Sequence, residues 1–433
     1  MNGRQRSVAL LGLIGLVGGV MVATDPPRAQ AAGATTGEQQ WAASWTASPT
    51  DAATPLDAAA IAVPVAVSDQ TFRMIVTPHL GGTVLRIHLS NRFGSAPMTF
   101  GHVTVGIAGS GSVQQPVNVT FGGQSGVTAP AGQDVVSDPV DLTFQAFQPL
   151  AVSIFTPGLQ GAPTKHWNAN ATSYYSLPLS GDLASAGSDL GFPLATEAWM
   201  FVDGIDVEAP QSTGVVVAFG DSITDGFVAS TVASLPVSLS AADKNGRYPD
   251  DLQRRIDAAG IPLSVVDAGI SSNRLLTDGG GQFEGPSGLS RFQTDALGRP
   301  GVTGVLVLEG INDLGIPPAT TTADQLIAGY QQLIAEAHAA GVKIWLGTIM
   351  PASNALFDGT LPAPQSETYR EQVNAWIRSQ QLADGVVDFD AAMRDPSDPN
   401  VLNPAYASVD NLHPNLLGYQ VMANAVNLSM LGG

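Results

Sequence analysis

The 433 residues contain no cysteine. Disulfide staples and thiolate metal sites are therefore excluded, while the redox compartment stays open, because a large core needs no staples. Positive charge is also scarce: Lys and Arg number 18 against 37 Asp and Glu, for a formal net charge of −19. No basic stripe gathers those cations, which argues against nucleic acid as a partner. An acidic surface also disfavours anionic polymers and anionic membranes, and leaves neutral glycans and small esters open. Charged residues of both signs make up only 13% of the chain and hydrophobic ones 44%, with 48 glycines and 30 prolines. That is the composition of a folded, loop-rich protein. Its length exceeds what one hydrophobic core usually serves, so two domains are expected.

Only the N-terminus carries a long apolar run. MNGRQR is basic, SVALLGLIGLVGGVMVA has the length of a signal h-region, and Ala29-Gln30-Ala31 offers a small-residue cleavage pattern. The run is short and glycine-rich for a membrane span of ~20 residues. Residues 1–31 are read as a signal peptide on a secreted protein whose mature chain starts near Ala32, with an uncleaved anchor as the lesser alternative. No later segment is long and apolar enough to cross a bilayer.

From Trp41 to Val207 the signals are those of strands. TVLRIHLS alternates, with Leu85, Ile87 and Leu89 on one face and Arg86, His88 and Ser90 on the other. FRMIVTP, HVTVGIAG, VVSDPVDLTF and PLAVSIFTPG are further β-prone runs, separated by clusters such as GSGS and GGQSG. Residues 38–207 are read as an all-β, jelly-roll-like sandwich, and 208–213 (EAPQST) as a linker. From Gly214 to the end, buried-looking strands (VVVAF, LSVVDA, GVLVLE, VKIWLGTI, GVVDF) alternate with amphipathic helices at 248–259, 323–340, 365–381 and from 416 on. That grammar means an α/β fold, a parallel sheet covered by helices on both faces. Ligands of such sheets bind just beyond the carboxyl ends of the strands.

Four polar stretches fall on that rim: Gly220-Asp221-Ser222, Asp267 through Asn273, Gly310-Ile311-Asn312-Asp313, and Asp410-Asn411-Leu412-His413-Pro414. A serine hydroxyl attacks only when a base takes its proton, and histidine is suited to that near neutrality. The imidazole in turn needs a carboxylate on its other nitrogen. Ser222, His413 and Asp410 can fill these places, with Pro414 fitting a first helical position. The amide of Asn312 and the N–H groups of Ser222 and Ser272 can stabilise an oxyanion. The bland reading of the first stretch is that Asp221 and Ser222 cap a helix starting at that turn.

The four blocks, in this order, resemble the SGNH (GDSL-type) hydrolases, over residues 214–433. The resemblance implies a flavodoxin-like α/β/α catalytic domain and esterase or lipase activity without a cofactor or metal. It implies Ser222 as nucleophile, His413 as base, Asp410 as its partner, and Ser222, Ser272 and Asn312 as the oxyanion hole. REQVNAWIRSQ, GVVDFDAAMRDPSDP and HPNLLGY further resemble a secreted, acetylxylan-esterase-like branch with a β-rich N-terminal domain. In the second block the family usually has glycine where this chain has Ser272. Any residue but proline keeps the N–H, while a side chain there narrows the acyl pocket or demands a different backbone angle.

The expected function is a secreted serine ester hydrolase acting on short acyl or acetyl esters of carbohydrate or small alcohols. The alternatives are a lipase or phospholipase for longer chains, and a catalytically silent carbohydrate- or surface-binding protein. A glycosidase needs two facing acids, and Glu309 is the only obvious one near Asn312. Asp388, Asp390, Asp395 and Asp398 lack calcium-loop spacing and read as a solvated loop. Trp41, Trp45, Trp167, Tyr174 and Tyr175 read as packing rather than sugar platforms. No nucleotide-binding fingerprint is present, and the sequence sets no oligomeric state.

Overall fold

Alternation decides the first half. In the strand Gly82–Ser90, Leu85, Ile87 and Leu89 are fully buried, while Arg86 and His88 turn outward onto Asp206 at 2.7 and 2.6 Å. The computed structural model describes residues 38–432; the signal-peptide reading lies outside the described residues. Two large antiparallel sheets, with two two-stranded ones (Lys165–His166 with Trp199–Met200, and Met98–Phe100 with Val127–Ala129), build the β half. A five-stranded sheet runs in the order 39–46, 202–210, 82–90, 134–136, with 140–144 also paired to 82–90. A six-stranded sheet runs 194–196, 173–175, 67–76, 150–160, 102–108, 113–119. Their apolar faces meet in one core that includes Phe72, Met74, Leu85, Ile87, Val152 and Ile154.

Residues 208–213 hold the end of strand Val202–Pro210 and a tight turn, and Gly214 already begins the next strand. That strand, β1 (Gly214–Gly220), is buried along its whole length. With β2 (Leu263–Gly269), β3 (Val302–Leu308), β4 (Lys343–Gly347) and β5 (Gly385–Val387) it forms an all-parallel sheet in the order 2-1-3-4-5. This is the flavodoxin-like order, whose switch point lies between β1 and β3. Four helices cover the sheet: α1 (Tyr248–Ala259), α2 (Ala323–Ala339), α3 (Ser366–Ser379) and α4 (Leu416–Ala425). α1 packs with α4 and α2 with α3, giving three layers. In α2 the stripe Leu326, Tyr330, Leu333, Ile334 and Ala337 is buried, a Thr322/Gln325 capping box starts it, and Gly341 turns the chain at φ 71°.

Two expectations about helix starts are corrected. No helix starts at Ser222: residues 221–226 are turns, and the first helix of this half begins only at Tyr248. The turn carbonyls bond instead within the turn and to the β half. Pro414 is not a first helical position, because α4 starts at Leu416 behind Asn415, whose Oδ1 accepts the Gly418 N–H at 2.9 Å.

Candidate active site

The turn after β1 is shaped by its own polar groups. The Asp221 carboxylate accepts the Ile223 N–H at 2.9 Å, and the carbonyls of Asp221 and Ser222 accept the N–H groups of Asp225 and Phe227, both at 2.9 Å. Gly269 at the end of β2 lets this turn sit flat on the sheet rim, since a Cβ there would lie 2.2 Å from the Asp225 nitrogen. Residues from the β half hold the turn from the other side. His166 Nε2 meets Asp225 Oδ1 at 3.0 Å, while the Asn170 amide donates to the Gly226 carbonyl at 2.6 Å. Burial opposes protonation of His166, but the charge and hydrogen bond of Asp225 outweigh it and raise the imidazole pKa.

On that turn the Ser222 hydroxyl lies 2.8 Å from His413 Nε2, and His413 Nδ1 lies 2.6 Å from Asp410 Oδ2. The sequence spacing of these two is what a tight loop needs: Asp410 Oδ1 accepts the backbone N–H groups of Leu412 and His413, each at 3.1 Å. The His413 carbonyl is pinned by both the N–H and the hydroxyl of Ser408 at 2.7 Å. Burial by itself raises the Asp410 carboxyl, but the His413 charge and these donors win and hold it below the usual carboxylate range. It therefore stays ionised beside the imidazole. The Ser234 hydroxyl adds a further donor to Asp410 Oδ2 at 2.9 Å, and the Phe227 ring lies against the imidazole at 4.6 Å.

Opposite stand the groups expected to meet an oxyanion. The Asn312 amide donates to the Asn273 carbonyl at 2.8 Å. A carbonyl only accepts, so this contact fixes the nitrogen side of the amide and leaves its second N–H free. Among the described residues, the N–H groups of Ser222 and Ser272 have no protein partner either. Ser272 stands at φ 60°, the left-handed backbone a glycine would take there without strain. Asp313 ties this block to the previous one, accepting the N–H groups of Leu275 at 2.7 Å and Leu276 at 3.0 Å. Burial still raises its carboxyl to about 6, against the pull of those donors.

These groups border a cavity of about 220 Å³ whose other walls include Trp167, Leu235, Phe283, Ile316, Phe357 and Asp358. Trp167 comes from the β half and stacks on Phe283 at 4.3 Å. It is a pocket wall, while Trp45 packs edge-on against Trp199 and Tyr175 stacks on Phe72, as the packing reading expects. Glu309 is absent from the walls: it is 1% exposed and lies 3.5 Å from Arg291. Burial and the neighbouring Asp221 push its carboxyl well up. It cannot serve as one of two facing acids. The acidic run divides: Asp388 and Asp390 pair with Arg378, and Asp390 also with Arg370 at 2.8 Å. Asp390 is buried rather than solvated, because those guanidiniums compensate its charge. Among the described residues no His, Asp and Glu cluster could hold a metal ion.

Ser234, Arg291, Asp358 and the His166–Asn170 stretch were not singled out for this site from sequence. Ser234 and Asp358 sit on long irregular loops that give no periodic signal. HWNAN (166–170) does interrupt the alternating pattern of the β half, and that break is the available clue.

Residues 218–421 match the GDSL-like Lipase/Acylhydrolase family. No curated protein matches the chain. Among solved structures, the lipase/acylhydrolase from Enterococcus faecalis is 19% identical, with a TM-score of 0.34, over 49% of this chain and 93% of that one. A carbohydrate acetylesterase from Sinorhizobium meliloti is 13% identical, with a TM-score of 0.38, over 49% and 96%. A family two carbohydrate esterase from Clostridium thermocellum, in complex with cellohexaose, is 13% identical, with a TM-score of 0.37, over 91% and 93%.

Proposed function

We propose that this carboxylic ester hydrolase, whose residues 218–421 are a GDSL-like lipase/acylhydrolase domain, works through an acyl-enzyme on Ser222 and takes short acyl esters. The observation that carries the reading is the line Ser222–His413–Asp410, with contacts of 2.8 and 2.6 Å, beside three unpartnered N–H donors. His413 Nε2 takes the Ser222 proton as Oγ bonds to the ester carbonyl carbon. Asp410 holds Nδ1–H in place and stabilises the imidazolium. The carbonyl oxygen becomes an oxyanion facing the N–H groups of Ser222 and Ser272 and the Asn312 amide. Collapse breaks the bond to the alcohol oxygen, which leaves with the proton from Nε2. Water then repeats the sequence, giving up its proton to His413, and releases the acid and Ser222.

Pocket size supports short acyl groups. A cavity of ~150 Å³ accepts a benzene, and the pocket here measures about 220 Å³, so an acetyl or butyryl group fits well. Acetyl esters of carbohydrate are the favoured natural class, and the basic-then-apolar N-terminus supports secretion of the mature protein. One observation favours a longer-chain acylhydrolase instead: Val232, Leu235, Leu356, Phe357 and Leu361 are exposed on the two loops that flank the pocket. A panel of acetyl to palmitoyl esters with acetylated xylan separates the two. Activity confined to long chains overturns the short-acyl reading. Fluorophosphonate labelling that is absent from wild type, or that persists in Ser222→Ala, overturns the acyl-enzyme. Mature protein in the culture medium, beginning near Ala32, checks secretion.

A further inference from the structure

The loop between β4 and α3 brings to the pocket a carboxyl group that acyl transfer does not use. Asp358 lines the cavity beside Asn312, Ile316 and Phe357 and is only 5% exposed. Its inner neighbour is Gly315, on the short helix that carries Asn312. A Cβ on Gly315 would lie 2.2 Å from the Asp358 Cα and 2.4 Å from its Oδ1. The glycine is what admits the carboxyl to this place. Once there, the carboxyl finds no partner: among the described residues it makes no hydrogen bond, and Oδ1 is sealed from solvent. The void on its far side measures about 10 Å³, at or below the ~10–15 Å³ that one water needs. Burial, with the charge of Asp221 and then of Asp313 and Asp410, pushes the carboxyl well above the usual range, and Arg274 opposes this only in part.

A buried carboxyl without a protein partner, in the wall of a substrate pocket, is satisfied when the substrate supplies the partner. With Oδ1 sealed, Oδ2 is the oxygen left to meet a ligand, and a hydroxyl group can donate to it or, when the carboxyl is protonated, accept from it. An aliphatic group can do neither.

We propose that Asp358 is a specificity residue that hydrogen-bonds a hydroxyl of the substrate, so that the enzyme selects esters carrying a hydroxyl near the scissile bond over their deoxy counterparts. The proposal rests on the esterase reading above and narrows its substrate class. The hydroxyl can belong to the alcohol half, as in a partly acylated polyol, or to the acyl half, as in a hydroxy acid.

The test is kcat/KM of the full chain on two matched pairs. Ethylene glycol monoacetate against propyl acetate places the hydroxyl on the alcohol. Ethyl 3-hydroxybutyrate against ethyl butyrate places it on the acyl group. Wild type is expected to prefer the hydroxylated member of one pair by ~10- to 100-fold, the scale of leaving one buried polar group unpaired. Asp358→Leu, which keeps the branching and loses the hydrogen bond, and Asp358→Ala should each bring that ratio close to one. Asp358→Asn should keep a preference. Thermal unfolding identifies which variants are folded. Equal turnover of both members of both pairs by wild type overturns the proposal, as does a preference that survives in the folded Leu or Ala variant. No turnover of any of the four esters overturns the short-acyl reading and this proposal with it, whereas turnover without preference overturns only the latter.

Discussion

Ser272 holds a backbone N–H at the oxyanion side with φ 60°, a conformation that costs a residue bearing a Cβ roughly 1–2 kcal/mol. Ser272→Gly removes that strain but loosens the unfolded chain, so a net gain of about 0.5–1 kcal/mol is expected. A rise in Tm checks it, and a fall would show that the serine side chain holds the loop. The amide of Asn312 is a different case, because the side chain itself is the donor. Asn312→Ala should lower kcat by about 10²–10³ with little change in KM, the cost of one oxyanion donor. Ser234→Ala removes one of four donors to Asp410. It should therefore cost no more than ~10-fold in kcat. If steady-state kinetics place Ser234→Ala at the level of Asn312→Ala, the hydroxyl is a principal orienter of the carboxylate.

At the scale of elements, the rim is joined by one buried cation. Arg291, 2% exposed, donates to the Gly220 carbonyl ending β1 at 2.8 Å, the Ala268 carbonyl in β2 at 2.6 Å and Asn273 Oδ1 at 2.9 Å. Its planar fork reaches three acceptors at once, which a lysine ammonium on a flexible stem does not reproduce. Arg291→Met leaves those acceptors and Glu309 without a cation. A loss of ~3–5 kcal/mol is expected, as for one partner removed from a buried pair. Arg291→Lys should recover little of it in urea unfolding. Full recovery would mean that charge alone suffices. Periodicity exposes β1 and α2, because a strand buried on both faces and an amphipathic helix each have a rule that every residue obeys. The Ser222, Asn312, Asp410 and His413 blocks are equally legible, being short contiguous motifs at strand ends. Arg291 obeys no such rule: it sits in a short helical stretch at 288–297, and its partners lie far away in sequence. The helix expected to begin at Ser222 fails for a related reason, since cap preferences are local and the turn is held by residues 166–170 of the other half.

At the scale of the whole molecule, the two halves share a polar seam as well as a core. Thr46 donates to the Asp267 carbonyl at 2.5 Å, His79 Nε2 meets Asp250 Oδ1 at 2.9 Å, and Arg92 Nη1 meets Asp295 Oδ1 at 2.7 Å. Several carboxyls in and near this seam are driven up by burial: Asp267 to about 7, Glu197 to about 7 and, on the rim, Asp313 to about 6. Each binds its proton more tightly in the folded chain than in the unfolded one. Their stabilisation is complete below about pH 4 and is lost as pH rises through about 6 to 7. His166, raised by Asp225, has the same sign. Asp295, held at about 2 by Arg92, Arg299 and Arg291 against burial, and Asp410, held low by His413, have the opposite sign. Their contribution is present above the ordinary carboxylate range and fades only below it, outside the neutral window. Lowering the pH also relieves the self-repulsion of a chain with net charge −19. Both effects point the same way, so Tm should be a few degrees higher at about pH 5 than at about pH 8. A flat or reversed profile in calorimetry would mean that these carboxyls stay ionised in the folded protein, and that the seam is held by charge rather than by neutral acids.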